Sequence, residues 1–265
     1  MTSLSRRELK WFASLSQKKY RQEYRQCILE GVRLCEEAFR SNWQLHMLFV
    51  TAEYIKRNKE ALPLTLSREG GLDIRQVSQS EFRRITDTKS GQGVALLADL
   101  PKSMRFIPNS EKTPDILLLD AIADPGNLGT LFRAADWFGV RHIVLGAGTV
   151  EWSNPKVLRS SMGAVFRTSL YEHASLDSLL NELKKFDYQI IAADLDGTPL
   201  PELKSFAPSG SRAIILGNEA HGISRSISTS ADYNVTIPGE GSADSLNVAM
   251  AGAVILYELY CIRMS

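Results

Sequence analysis

Long apolar runs are missing from this sequence. None approaches the roughly 20 residues that a helix needs to cross a bilayer. The opening MTSLSRRELKWF also lacks the apolar core of a secretory leader. The expectation is a cytoplasmic protein with no membrane partner. Cysteine is scarce: Cys27, Cys35 and Cys261 are odd in number and lack metal-ligand spacing. That excludes a disulfide framework and leaves buried or incidental thiols, with no bound metal expected. The four histidines are scattered. No Walker P-loop, no HExxH and no G-x-S-x-G occurs, which removes three large enzyme classes.

The chain has 265 residues, 44% of them apolar, enough for one large domain or two modest ones. Its net charge of +1 hides an asymmetry. Residues 1–110 hold 19 Lys/Arg against 12 Asp/Glu, while residues 111–265 hold 12 against 18. A basic half joined to an acidic half suggests that the first half meets a polyanion.

In that first half, Lys10, Lys18, Lys19, Arg21 and Arg25 are interleaved with Trp11, Phe12, Tyr20 and Tyr24. Cations beside flat rings suit RNA, whose phosphates need charge and whose unstacked bases need aromatic partners. Lys18, Lys19, Arg21 and Arg25 are the candidate RNA-binding residues. Helical spacing over residues 22–40 places Ile28, Val32, Cys35 and Phe39 on one face. Strands are expected at Gln44–Thr51, Leu62–Leu66, Ile74–Val77 and Val94–Leu97. Helices are expected at Glu53–Glu60 and at about 79–85. Residues 1–100 therefore read as a compact α/β unit.

Residues 101–114 hold three prolines and no clear period, which marks a linker. From 115 to 265, strand and helix alternate. Asp115–Asp120 reads as a buried parallel strand, followed by a helix through Leu128, Leu131, Phe132, Ala135 and Phe138. Arg133 falls off that apolar stripe. Further strands are expected at Arg141–Gly146, Tyr188–Asp194, Arg212–Gly217 and Val235–Ile237. The pattern is that of an α/β fold with a largely parallel sheet.

Such sheets bind ligands beyond the carboxyl ends of their strands. Three glycine-bearing turns fall there: Asp124–Gly129, Gly217–Gly222 and Gly239–Gly241. The dinucleotide fingerprint G-x-G-x-x-G is not among them. Around the turns lie Asn127, Arg133, Asn218, Glu219, Ser245 and Asn247. Each alone could serve only a turn, a cap or a surface ion pair. Together they outline a polar crevice. The last turn leads into a helix from Leu246 to Tyr260 whose only charge is Glu258. Asp244 or Ser245 could cap it, and so apolar a helix is expected to be buried on most of its surface.

Three segments, NLGTLFRAADWFGV, IILGNEAHGIS and IPGEGSADSLNVAMAGAVILYE, resemble the signature motifs of the SpoU family, RNA ribose 2′-O-methyltransferases of the SPOUT superfamily. KKYRQEYRQCILEGVRLCEEAF and SGQGVALLA resemble the ribosomal-protein-like substrate-binding domain of that family. One departure is Gly239, where the family usually has methionine after Ile-Pro. The resemblance implies a C-terminal parallel-sheet SPOUT domain with a deep trefoil knot, preceded by a smaller α/β domain. It implies a homodimer and S-adenosylmethionine as cofactor, with Gly217, Ile237 and Leu246 at the cofactor. Arg133 matches the catalytic arginine, with Asn127, Glu219, Ser245 and Asn247 beside it. Ribosomal RNA is favoured over transfer RNA. A transfer-RNA methyltransferase, a non-catalytic RNA-binding protein of this fold and a nucleotide-dependent oxidoreductase are the alternatives.

Overall fold

The computed structural model describes residues 4–58, 63, 65, 70–86, 88–102, 104–108, 115–205, 210–242 and 244–264. The chain forms two compact units. One is Met1–Lys102 with Glu151–Phe166; the other is Ser103–Val150 with Arg167–Ser265. Residues 151–166, which the linear reading leaves in the second half, thus fold with the first. Part of the expected linker, most of the strand at 62–66 and the end of the helix at 53–60 lie outside the described residues.

In the first unit, strands β1 (Gln26–Glu30), β2 (Leu45–Thr51), β3 (Asp73–Val77) and β4 (Val94–Asp99) form a sheet in the order β1-β4-β2-β3. β4 runs antiparallel to β1 and β2, and β3 runs parallel to β2. The helix read over 22–40 is corrected here. Cys27, Ile28 and Leu29 are buried in β1, paired along β4 from Gln26↔Asp99 to Glu30↔Ala95. Gly31, at φ +106°, then turns the chain into the helix Val32–Phe39. Only that shorter helix keeps the helical spacing. At the N-terminus, Ser5 caps the helix Arg6–Ser14. Its Oγ accepts from the Glu8 amide at 3.2 Å and its own amide donates to Glu8 Oε2 at 2.8 Å.

Arg21 is the second correction. It is 2% exposed and does not face solvent. Its guanidinium donates to Glu151 Oε2 at 2.5 Å and to the carbonyls of Leu15 and Ser16 at 2.9 and 2.7 Å. A buried cation persists only when paired and fully hydrogen-bonded, so Arg21 is spent on holding this unit together. Lys18, Lys19 and Arg25 are exposed. Arg25 Nη2 reaches the carbonyls of Leu100 and Pro101 at 3.3 and 3.0 Å.

The second unit carries β5 (Ile116–Leu119), β6 (His142–Leu145), β7 (Ser169–Glu172), β8 (Gln189–Pro199), β9 (Arg212–Leu216) and β10 (Tyr233–Thr236). Their order is β10-β8-β9-β5-β6-β7, and every pair is parallel. β5 and β9 are buried along their whole length, as central parallel strands are. Arg212 ties three pieces together. It grips Asp115 through Nε and Nη2, at 3.1 and 2.6 Å, and donates from Nη1 to the Leu259 carbonyl at 3.1 Å.

Leu259 belongs to the C-terminal helix Val248–Met264, which lies on the helix Pro125–Trp137. Gly252 makes the approach possible, since a Cβ there would stand 2.5 Å from Leu131 Cδ2 and 2.7 Å from Leu216 Cδ1. Val248, Ala249, Gly252, Ile255, Leu256 and Leu259 form the buried face. The expected burial on most sides does not hold for a single chain: Met250, Val254, Tyr257, Tyr260 and Met264 form an exposed stripe.

Candidate active site

The site is built from three loops that leave strand ends in the second unit. After β5 the chain passes Asp120 and Ala121 and enters the helix Pro125–Trp137. Asp124 is its N-cap, accepting from the Asn127 amide at 2.9 Å, and Pro125 occupies the first turn, where its missing N–H costs nothing. Pro125 and Gly126 are therefore inside the helix, not in a turn before it.

After β9 the chain makes a tight loop at 217–224. Asn218 and Gly222 exchange both backbone hydrogen bonds, at 2.9 and 2.8 Å. The Asn218 side chain holds the loop from within, accepting at Oδ1 from the amides of Ala220 and His221. Its Nδ2 reaches the Ala121 carbonyl at 2.8 Å, which pins the β9 loop to the β5 loop. Asp120 Oδ2 adds a bond from the Ser224 amide, and burial pushes its carboxyl above the ordinary range against that bond. Gly217 is required sterically, because a Cβ there would lie 2.3–2.4 Å from backbone atoms of Gly222 and Ile223.

The third loop runs from Ile237 to Asn247. Its cap is neither Asp244 nor Ser245. Asn247 Oδ1 accepts from the amides of Ala249 and Met250, at 2.9 and 3.4 Å, and so starts the C-terminal helix. Asn247 Nδ2 then donates to Asn127 Oδ1 at 3.0 Å, and Asn127 Nδ2 donates to Glu219 Oε1 at 2.7 Å. One hydrogen-bonded chain, Asn247–Asn127–Glu219, crosses all three loops. Because Asn247 Oδ1 is committed to the helix start, the orientation of both amides follows, and Asn127 meets Glu219, an exposed carboxylate, through Oε1.

The structure thus brings together three of the five expected catalytic residues. Arg133 stands exposed farther along the helix Pro125–Trp137, on the side of Gly126 and Thr130, and Ser245 is exposed two residues before the cap. Gly217 is buried at the β9 end, Ile237 is half-buried just after β10, and Leu246 is 45% exposed beside Asn247. The sequence marked Asn218 as a crevice residue that could hold a turn, but not its tie to the β5 loop, nor any part for Asp120; a polar residue within two positions of the end of each of two adjacent apolar strands was the available signal. Among the described residues, no group of three or more His, Cys, Asp or Glu is placed to hold a metal ion.

The model of the SpoU rRNA methylase family matches residues 114–257, the stretch that contains all three loops. The chain belongs to this family. An MRM3-like substrate-binding domain matches residues 6–96. The SpoU chain is 33% identical to the 23S rRNA (guanosine(2553)-2′-O)-methyltransferase RlmP of Bacillus subtilis, over 97% of each protein. Among solved structures, an RNA 2′-O ribose methyltransferase matches it with a TM-score of 0.85 and 26% identity, covering 100% of this chain and 99% of that one. An AdoMet-bound rRNA methyltransferase from Sinorhizobium meliloti gives a TM-score of 0.79 at 26% identity, over 97% and 95% of the chains.

Proposed function

We propose that this chain transfers a methyl group from S-adenosylmethionine to a ribose 2′-hydroxyl of RNA, with ribosomal RNA as the substrate. The observation that carries the reading is the Asn247–Asn127–Glu219 chain, which assembles residues from all three SpoU motifs at the ends of parallel strands. The relative named for guanosine 2553 makes 23S ribosomal RNA the first molecule to test.

The loops fit the cofactor. An adenosyl group needs backbone donors and acceptors at its ring edge and apolar cover on its face. Ile237 and the exposed side chain of Leu246 supply apolar surface beside loop backbone, and nothing lies within 4 Å of where a Cβ would stand on Gly239 or Gly241. Gly217, Ile237 and Leu246 hold the cofactor in this reading. Bound there, it supplies a methyl group already activated on a sulfonium sulfur.

The remaining work falls to the chain. The residues of the site would have to hold the ribose 2′-hydroxyl against the bound methyl donor and take up its proton. Such alignment contributes several kcal/mol, up to about 7–11 in ideal cases. Glu219 Oε2, held in place by Asn127, accepts the hydroxyl hydrogen. Ser245 extends that polar edge. Arg133 binds the neighbouring phosphate and offsets negative charge developing on the oxygen; a guanidinium offers a fork of donors and no acceptor, which suits that role and not the role of base. Titration with S-adenosylmethionine, NAD and NADP tests the cofactor: only the first should give a saturable heat. Binding of NAD in its place would overturn the reading in favour of an oxidoreductase.

In this account the second unit is a SPOUT domain, threaded as a deep trefoil knot, and residues 1–100 bind the RNA with Lys18, Lys19 and Arg25 on their exposed surface. Residues 101–114 join the two parts. The active form is a homodimer. Met250 and Tyr257 are 59% and 54% exposed on the C-terminal helix, and Trp137 is 82% exposed at the end of its neighbour. An apolar stripe of this length on one helix is surface that a second copy covers. Light scattering should give the mass of two 29.5-kDa chains, and Tyr257→Asp should give one with methyl transfer lost. A wild-type monomer with full activity would remove the dimer from the account.

A further inference from the structure

The first unit contains a cleft of about 560 Å³ that no residue of the methyl-transfer site enters. Its lining includes Glu30, Arg33, Leu34, Lys89, Gln92 and Met162. Its size is that of an ordinary small-ligand site, about 300–1,000 Å³. All of these residues belong to the one unit.

The floor is rigid. Glu30 is 7% exposed, and its two oxygens accept from Thr88 Oγ1 at 2.9 Å and Arg159 Nη1 at 3.1 Å. Burial pushes its carboxyl above the ordinary range, and those two bonds work against that rise. Gly91 sits directly on it: a Cβ there would lie 2.7 Å from Glu30 Oε1 and 2.6 Å from Phe82 Cε1. Gln92 Oε1 accepts from the Val32 amide at 2.8 Å, which fixes one wall and leaves the Gln92 amide nitrogen as a donor. Arg33 and Lys89 are exposed around this floor. Met162 is unusual on two counts. It has φ +51°, a left-handed conformation that a side chain disfavours, and it is 38% exposed although apolar.

Three chemistries therefore meet in one cleft. Exposed cations suit a phosphate, hydroxyl and amide groups suit a ribose, and an exposed thioether beside Leu34 suits the face of a base. We propose that this cleft receives one unstacked nucleotide of the RNA substrate, and that Arg33, Lys89 and Met162 hold it. The proposal rests on the RNA-methyltransferase reading but assigns a binding residue set to the other unit. A single-stranded nucleotide is the form of RNA whose phosphate, sugar and base can all be reached at once.

The test uses the full chain and a ribosomal RNA fragment that the wild type methylates. The double variant Arg33→Glu/Lys89→Glu should raise KM for RNA at least tenfold and flatten the salt dependence of binding, with kcat at saturating RNA and affinity for S-adenosylmethionine unchanged. Met162→Ala should weaken binding several-fold at high salt, where the charge contribution is screened. Unchanged KM and salt slope in the double variant would overturn the proposal while leaving methyl transfer intact. A loss in the double variant with none in Met162→Ala would overturn the nucleotide pocket and leave a phosphate-binding patch. If the wild type methylates no RNA, the methyltransferase reading fails, and the same variants in a direct RNA-binding titration still decide the cleft.

Discussion

Arg133→Ala should lower single-turnover methylation by about 100-fold at saturating RNA and cofactor, the scale at which one group stabilising developing charge is usually felt. The affinity for S-adenosylmethionine should not change, because Arg133 lies on the exposed face of its helix, away from Gly217, Ile237 and Leu246 in sequence and element. Arg133→Lys should recover part of the loss. A lysine keeps the charge but gives up the planar fork that grips a phosphate at two points. The split matters: a role confined to RNA binding would raise KM and leave the single-turnover rate at saturation unaltered. An alanine variant with the full rate would remove Arg133 from catalysis. Substitution of the neighbouring Asn127 should behave differently, since its amide holds both Glu219 and Asn247. There the rate loss should come with a weaker start to the C-terminal helix.

Gly217→Ala should cost at least tenfold in cofactor affinity, about 1.4 kcal/mol. The added methyl would meet the Gly222 carbonyl carbon at 2.3 Å and the Ile223 nitrogen at 2.4 Å, and neither is a flexible side-chain end. The loop must open to accept it. Opening breaks the backbone pair between Asn218 and Gly222 and pulls Asn218 from the Ala121 carbonyl, so the β5 and β9 loops lose their register. Gly241→Ala controls for the fold alone: nothing stands within 4 Å of its Cβ position, so its melting temperature should match the wild type's. Calorimetric titration with S-adenosylmethionine reads the effect, and thermal melting separates it from general unfolding. Equal affinities in wild type and Gly217→Ala would mean that this loop does not shape the cofactor site.

Much of the second unit was legible in the sequence because parallel strands buried on both faces leave short unbroken apolar runs, such as Ile116–Leu119. Two of the glycine turns, at 217–222 and 239–241, fell after strand ends, the third proved to be the first turns of a helix, and Asn127, Glu219 and Asn247 from the expected crevice are joined by hydrogen bonds. The cap of the C-terminal helix was not legible. Asp244, Ser245 and Asn247 are all competent caps, and local preference cannot choose among them. Asn247 is used because its other end reaches Asn127, 120 residues away. Arg21 failed for the same kind of reason. Its neighbours in sequence are exposed basic and aromatic residues, but its carboxylate partner is Glu151, 130 residues on, and only the folded unit brings them together. The strand Gln26–Glu30 was hidden by accident, since Ile28 continues the helical spacing of Val32 and Cys35 across the turn at Gly31. The exposed stripe on the C-terminal helix has a different origin. An apolar composition does not say which side of a helix a neighbour covers, and within the chain only one face of this helix is buried.

The central claim is methyl transfer to a ribose oxygen of ribosomal RNA. The most direct measurement incubates the purified chain with S-adenosylmethionine carrying a labelled methyl group and with ribosomal RNA from a strain lacking this protein. The RNA is then digested to nucleosides and the label located. The account predicts stoichiometric label in a single 2′-O-methylated nucleoside, with none when the RNA comes from the parent strain. Label on a base, or no label in RNA despite saturable cofactor binding, would contradict it.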